Sequence, residues 1–246
     1  MLPRFHAPQL AEADTRVTLD AEQSHHLTRV LRLGERDAVR VFDGRGREWE
    51  GRVTRADRRE AEVGGLARVA PLPEPGARIT LLCAVLRGAA MDALVHDATM
   101  TGAAAIAPVL SARVSVARRE DGLRGAHSRW QRIAVATARQ CGRATVPEIP
   151  EPAALAAAIE GGAWGVRLWL AEPTLEVEAA RRVDGLASRA REHGAALAIG
   201  PEGGWTPAEV EAAKAAGFVP WSLGPLVLRA ESVPLAAMSV LRYAWG

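Results

Sequence analysis

A glycine-rich loop in the C-terminal third of the chain, residues 199–204, combines residue types that suit a ligand site. The loop reads Ile-Gly-Pro-Glu-Gly-Gly and follows an apolar run that predicts a buried strand. It precedes residues 206–209, whose capping threonine, proline and glutamate predict the start of a helix. Ligands of open α/β sheets bind at the carboxyl ends of strands, and glycine lets the backbone approach a ligand closely. The loop therefore predicts a binding site, with a simple tight turn as the alternative interpretation.

A second segment, residues 222–232, contains the charged residues Arg229 and Glu231. A guanidinium can stabilise developing negative charge, and a carboxylate can orient it or accept a proton. The same spacing also suits an exposed ion pair, which contributes only about 0–1 kcal/mol to stability. The sequence contains neither the G-x-G-x-x-G motif nor the G-x-x-x-x-G-K-[ST] phosphate loop, which argues against a dinucleotide dehydrogenase and a P-loop NTPase.

Arginine is concentrated between residues 113 and 143, where eight arginines are accompanied by two acidic residues, although the formal net charge of the chain is only +2. At about 100° per residue, a helix would place four of them, Arg129, Arg132, Arg139 and Arg143, within an arc of roughly 80°. A surface with one sign of charge suits phosphate groups. A general abundance of arginine is the alternative explanation, but it does not account for the clustering. The predicted phosphate contacts are Arg113, Arg129, Arg132, Arg139 and Arg143, with Arg29 and Arg32 of a short N-terminal helix.

The composition is that of an ordinary globular protein, because hydrophobic residues make up 48% of the 246 positions and charged residues 24%. No apolar stretch approaches the ~18 residues of a membrane span, and the N-terminus lacks an apolar signal core. Two cysteines cannot form a disulfide framework or a four-ligand zinc site, and the adjacent His25 and His26 would point about 100° apart on a helix. We therefore expect a cytoplasmic protein without a catalytic metal.

The elements of the first 70 residues predict a small β-rich module. Asp20 followed by Gln23 is a helix-start signal for residues 21–33. Two alternating segments, residues 38–42 and 48–53, are joined through an Asp-Gly dipeptide and predict a hairpin. The proline-rich residues 71–76 predict a linker.

Beyond the linker, apolar runs alternate with helical patterns, which indicates an α/β domain with a parallel sheet. The terminal residues 235–245 are mostly apolar and suit either a core helix or a dimer interface. The chain is thus expected to have one domain at 1–70 and a second at 77–246. The predicted buried strands are residues 79–85, 106–110, 166–171 and 195–199.

Considered together, these motifs resemble the RsmE family of 16S ribosomal RNA (uracil-N3)-methyltransferases, which belongs to the SPOUT class of trefoil-knotted enzymes. The C-terminal resemblance lies in Gly-Pro-Glu-Gly-Gly at 200–204, Leu-Gly at 223–224 and Leu-Arg-x-Glu at 228–231. The set is specific and extends along the whole chain. Further matches are Arg4-Phe5, His26 with residues 29–32, residues 42–46 and 108–113, Arg129-Trp130, and residues 140–143 with Val146-Pro147.

The resemblance implies a SPOUT-type knotted, parallel-sheet methyltransferase domain at 77–246 and a PUA-like β-barrel that binds RNA at 1–70. It implies S-adenosyl-L-methionine (AdoMet) as cofactor, a homodimer, the small ribosomal subunit or its 16S RNA as partner, and methylation of N3 of a specific uridine. Arg229 and Glu231 are then the candidate catalytic residues, and Arg4 joins the RNA contacts. The implied cofactor-binding residues are Leu170, Ala171, Glu172, Ile199, Gly200, Pro201, Glu202, Gly203, Gly204, Leu223, Gly224 and Leu228.

The sequence departs from the family pattern at three places. Arg87 stands where the family has a lysine, Asp97 and residues 100–102 replace a lysine and a Glu-Leu-Gly signature, and Ala230 replaces a threonine. Two other functions stay open, namely a SPOUT ribose 2′-O-methyltransferase and a ribosome-binding assembly factor without catalysis. Mapping the methyl group to base or ribose would distinguish the first, and substitution of Arg229 the second.

Overall fold

The computed structural model describes residues 2–113, 120–160, 162–171 and 183–246, which divide into two compact units. The first unit comprises Met1–Glu74 and Val135–Val146, and the second comprises Pro75–Ala134 and Pro147–Gly246. The sequence had assigned everything after the linker to one domain. In the structure residues 135–146 group with the first unit, because Ala138 and Ala144 pack in a buried cluster with Phe42.

The first unit is built on a five-stranded sheet in the order β1-β3-β4-β5-β2. Strands β1 and β3 are parallel, and the remaining neighbours are antiparallel. Its core contains Phe5, Leu27, Val41 and Trp49, all at most 1% exposed. The strands are β1 (Arg4–His6), β2 (Arg16–Thr18), β3 (Ala38–Phe42), β4 (Glu48–Arg55) and β5 (Glu62–Val69).

The predicted hairpin and helix start of this unit are both confirmed. Strands β3 and β4 pair in register, with Phe42 opposite Glu48. The Asp20 carboxylate accepts a hydrogen bond from the Gln23 backbone N–H at 2.7 Å and caps α1 (Ala21–His25). The helix continues only as a π-helical turn, His26–Val30, so it ends earlier than residue 33.

The second unit contains a six-stranded parallel sheet in the order β11-β9-β10-β6-β7-β8. All four predicted buried strands are confirmed. Strands β8 and β11 were not predicted, because β8 has only two residues and Pro220 lies inside β11, where a sheet edge tolerates it. The strands are β6 (Ile79–Ala84), β7 (Ala105–Leu110), β8 (Ala153–Ala154), β9 (Val166–Leu170), β10 (Ala195–Ile199) and β11 (Val219–Trp221).

Helices alternate with these strands, so the α/β fold with a smaller β-rich unit is confirmed, while the knot stays a prediction. Thr206 and Glu209 form the predicted capping box at the start of α6. No helix within the described parts of the chain is long and apolar enough to cross a membrane. The helices are α2 (Ala89–Met100), α3 (Glu120–Cys141), α4 (Leu155–Glu160), α5 (Ala187–His193), α6 (Pro207–Ala215) and α7 (Val233–Trp245).

The C-terminal helix α7 is fastened to the second unit by two polar side chains. The Arg242 guanidinium donates to the carbonyl oxygens of Ala77 and Gly102, both at 2.5 Å. The Trp245 indole N–H donates to the Val183 carbonyl at 2.8 Å. These bonds join side chains of α7 to backbone carbonyls of distant segments. One face of α7 is therefore part of the core of this unit, as the apolar pattern of residues 235–245 allowed.

Candidate active site at the carboxyl ends of three parallel strands

An open cleft of about 990 Å³ lies in the second unit where β10, β9 and β11 end. These three strands are neighbours and parallel, so their carboxyl ends lie at one edge of the sheet. Leu170 and Ala171 come from the end of β9, Ile199 and Gly200 from the end of β10, and Ser222 follows β11. This is the position at which open α/β sheets bind ligands.

The cleft brings together most of the residues singled out in the sequence. Of the implied cofactor-binding residues, Gly203 does not line it and Glu172 lies outside the described residues. Arg229 lines the cleft, whereas Glu231, half-buried, does not. The implied residues that line the cleft are Leu170, Ala171, Ile199, Gly200, Pro201, Glu202, Gly204, Leu223, Gly224 and Leu228.

The glycine loop owes its shape to specific backbone requirements. Gly204 has φ +67°, a left-handed conformation that favours glycine, and its N–H donates to the Pro201 carbonyl at 2.9 Å. A Cβ at Gly200 would lie only 3.0 Å from Nε1 of Trp205. Glycine at position 200 therefore lets the indole ring pack directly against the loop.

Two tryptophans in the wall of the cleft carry indole N–H groups without a partner. Nε1 of Trp169 and Nε1 of Trp205 are buried, and neither has a hydrogen-bond acceptor within the described residues. A buried donor left unsatisfied costs about 1–3 kcal/mol. A ligand with acceptor nitrogen or oxygen atoms could relieve that cost. Sequence reasoning missed both residues, because a tryptophan in an apolar run is usually core; the only signal was that Trp205 directly follows the glycine loop.

Charged side chains in the cleft are of both signs. Arg113 and Arg229 line it together with Glu202, Glu211 and Lys214. Lys214 and Glu211 form an ion pair at 2.9 Å. Because Arg113 donates to the Gly203 carbonyl oxygen and Lys214 pairs with Glu211, the exposed Arg229 is the cation of the cleft best placed to meet an anionic or polar ligand.

Glu209, at the start of α6, accepts several hydrogen bonds at its carboxyl group, close to the glycine loop. Burial opposes ionisation of its carboxyl group, but hydrogen bonds from the Thr206 and Ala112 backbone and from the Thr206 and Ser111 side chains outweigh burial and lower its pKa below the usual value. The carboxylate is therefore charged at neutral pH. It joins the start of α6 to the loop that follows β7.

Among the described residues, no group of three or more histidine, cysteine or acidic side chains is arranged to hold a metal ion. Cys83 is fully buried, and burial raises the pKa of its thiol far above the ordinary value. A thiolate nucleophile is therefore not available at that position.

Two of the arginines predicted to contact phosphate, Arg4 and Arg143, are buried and bonded within the first unit instead. Arg4 is 5% exposed; its guanidinium pairs with Glu48 at 2.7 Å and donates to the carbonyls of Ala138 and Arg143, both at 3.0 Å. Arg143 is also buried and pairs with Glu74 at 2.7 Å. Burial lowers the pKa of the Arg139 guanidinium, and the charge of the nearby Glu22 partly offsets this effect. The arrangement of Arg4 and Arg143 does not support phosphate contacts.

The predicted arginine face of α3 does not include Arg143, because the helix ends before that residue. The helix ends at Cys141, and Gly142 has φ +93°, so Arg143 is not on the helix. Arg129 forms an ion pair with Asp92 of α2, whereas Arg132 is exposed. Arg29 and Arg32 of the first unit are exposed, and Arg113 lies at the cleft.

Comparison with known proteins gives two family matches. The model of an RNA methyltransferase domain matches residues 73–242, and that of an RNA methyltransferase PUA domain matches residues 19–64. The ribosomal RNA small subunit methyltransferase E of Synechocystis is 32% identical over 94% of this chain and 73% of its own length. The protein of the same name from Mycobacterium tuberculosis is 29% identical over 98% of this chain and 92% of its own length.

A solved structure shows the same architecture. The ribosomal RNA small subunit methyltransferase E from Neisseria gonorrhoeae, crystallised with S-adenosyl methionine, superimposes with a TM-score of 0.88. The match covers 100% of this chain and 99% of that one at 29% identity. The similarity therefore extends over the residues of both units.

Proposed function

This chain belongs to the RNA methyltransferase domain family, and from that premise we propose that it is an AdoMet-dependent enzyme that methylates N3 of a specific uridine in 16S ribosomal RNA. The family match and the names of the relatives support RNA methylation of the small subunit. The choice of uracil N3 comes from the sequence resemblance. The observation that carries the proposal is the cleft at the carboxyl ends of three parallel strands, formed by the residues that the resemblance implies.

The residues of the cleft fit AdoMet. The left-handed turn at Gly204 shapes the loop at the cleft, and the unpartnered indole N–H groups of Trp169 and Trp205 suit the acceptor nitrogens and oxygens of an adenosyl group. The residues that would hold it are Leu170 and Ala171 at the end of β9 and the cleft-lining residues of the segments after β10 and β11. When bound, AdoMet supplies an electrophilic methyl group carried on a sulfonium.

Arg229 is assigned the main chemical role among the residues of this chain. Uracil N3–H is weakly acidic, so the negative charge that forms on its loss needs stabilisation. The Arg229 guanidinium, exposed in the cleft, is suited to pair with a uracil oxygen on which that charge develops. Glu231, two residues further along, is assigned to orient Arg229 or to accept the proton through water.

RNA contacts and assembly complete the proposal. Arg29 and Arg32 are exposed on the β-rich unit and are assigned to backbone phosphates, which would make RNA binding depend on salt. Helix α7 exposes Leu235, Val240 and Tyr243, the last 95% exposed, and this face suits a homodimer interface. Acting on ribosomal RNA, the enzyme is expected in the cytoplasm.

The test is transfer of tritiated methyl groups from AdoMet to small ribosomal subunits that lack the modification, followed by digestion to nucleosides. Labelled N3-methyluridine is expected. Label in a ribose 2′-O-methyl nucleoside would support the other SPOUT activity. Binding of subunits without any binding of AdoMet would favour a non-catalytic assembly factor and overturn the proposal.

A further inference from the structure

Arg113, which the sequence assigned to RNA, is held against the glycine loop of the cleft. Its Nη1 donates to the Gly203 carbonyl oxygen at 2.5 Å. A Cβ at Gly203 would lie 3.8 Å from Cβ and Cδ of Arg113, so the aliphatic part of the arginine lies along this glycine. Arg113 also lines the cleft itself.

With the bond from Arg113, both polar groups of one peptide unit are hydrogen-bonded. The Gly203–Gly204 peptide has its carbonyl oxygen bonded to Arg113 and its N–H bonded to the Pro201 carbonyl. Its orientation is therefore determined at both polar ends. A peptide between two glycines resists rotation less than any other, because no Cβ restricts either residue. Rotation would turn the Gly203 oxygen away from Arg113 and break the turn that brings Gly204 to the cleft.

The backbone that carries Arg113 is itself held by hydrogen bonds. Ser111, 3% exposed, accepts a hydrogen bond at its Oγ from the Arg113 N–H at 3.3 Å. The Ala112 N–H donates to Glu209 Oε1 at 3.0 Å, and Oε2 of the same carboxylate accepts from the Thr206 N–H at 2.8 Å. Ala112, in the loop after β7, is thus connected through Glu209 to the start of α6. The glycine loop, residues 199–204, precedes that helix start in the chain.

We propose that Arg113 is a positioning residue of the cofactor loop, which holds the Gly203–Gly204 peptide in the orientation that AdoMet requires. The inference rests on the proposed function, since it takes AdoMet as the ligand of the cleft. It reassigns Arg113 from RNA phosphate to the cofactor side of the enzyme. Loss of its bond releases one end of the peptide and lets the loop populate orientations that do not bind the cofactor.

The experiment is calorimetric titration of AdoMet into the full chain without RNA, for the wild type and for Arg113→Ala and Arg113→Lys. Loss of a charge-assisted hydrogen bond is expected to weaken AdoMet binding about tenfold in Arg113→Ala. Lysine can still donate to one carbonyl, so Arg113→Lys is expected to recover most of that loss. Arg191→Ala, at an exposed arginine of α5 that does not line the cleft, is the matched control.

Two further readouts separate positioning from a general structural or RNA role. The KM for AdoMet is expected to rise in Arg113→Ala, with kcat at saturating AdoMet largely kept and affinity for 16S RNA in a filter assay within about twofold. Unchanged AdoMet affinity with weaker RNA binding would overturn the inference and return Arg113 to the phosphate contacts. If Arg113→Ala does not fold, Arg113→Lys is compared with a folded Arg113→Gln, whose side chain is too short to keep the bond. Equal AdoMet affinities of these two variants would also overturn the inference. Failure of the wild type to bind AdoMet would instead count against the proposed function.

Discussion

At the scale of single residues, neighbouring glycines of the loop after β10 have different reasons for being glycine. Gly204 adopts φ +67°, where a side chain strains the backbone. Gly203 does not, and a Cβ there would meet only ordinary contacts at 3.8 Å. The Gly-Gly dipeptide of the sequence therefore contains one conformational requirement and one position that tolerates a methyl group.

This difference predicts the effect of alanine at each position. Gly204→Ala is expected to weaken AdoMet binding about tenfold, because a left-handed non-glycine residue costs about 1–2 kcal/mol and shifts the loop to other conformations. Gly203→Ala is expected to stay within about twofold of the wild type. Calorimetric titration of both variants checks this, and equal losses in the two would contradict it.

Arg229 gives a second prediction at this scale. Arg229→Ala is expected to lower kcat by about 10²–10³, the usual effect of removing one stabiliser of developing charge. Affinity for AdoMet and RNA should change only a few-fold, because the side chain acts on the reacting base. Single-turnover methyl transfer under saturating AdoMet and RNA measures the effect. A variant with normal turnover would remove Arg229 from the mechanism.

At the scale of elements, the start of α6 does more than begin a helix. The capping box that the sequence predicted is present, but Glu209 also accepts the Ala112 N–H from the loop after β7. One carboxylate therefore satisfies an orphan donor of the helix and connects two loops around the cleft. The local sequence pattern predicts the capping role. The bond to Ala112 is visible only in the folded structure, because it joins residues far apart in the chain.

The Glu209 carboxylate predicts a pH-dependent contribution to stability. Its pKa is lowered in the folded protein, so its stabilisation is present above the unfolded pKa and is lost as pH falls through the folded value. Glu209→Gln is expected to unfold more easily at pH 7 by about 1 kcal/mol. Urea unfolding at pH 7, 5 and 4 should show this difference shrinking toward acid pH, and a constant difference would contradict the assignment.

At the scale of the whole molecule, arginines divide into those that hold a unit together and those that face solvent. Arg4 and Arg143 are buried and use their guanidiniums on acids and on backbone carbonyls of the first unit. Arg29 and Arg32 are exposed. A net charge of +2 thus conceals a basic surface smaller than the count of arginines suggests.

Substitution of one arginine from each set tests this division. Arg4→Ala is expected to destabilise the protein by about 3–5 kcal/mol, because it leaves Glu48 buried without its partner. Arg29→Ala should leave stability nearly unchanged while weakening RNA binding and lowering its salt dependence by about one unit of slope. Denaturant unfolding and salt-dependent filter binding give the two readouts. The reverse pattern would restore Arg4 to the RNA surface.

The amino-acid sequence by itself determined the local features. Apolar runs identified the four central strands, Asp20 and Thr206 marked helix starts, and the glycine loop marked a ligand site, because these depend on residues close together in the chain. Tertiary structure alone decided which strands are neighbours, that Arg4 is buried, and that Trp169 and Arg113 lie at the cleft. These outcomes depend on partners far away in sequence: Arg4 meets carbonyls 134 and 139 residues further on, and Arg113 meets Gly203 across 90 residues.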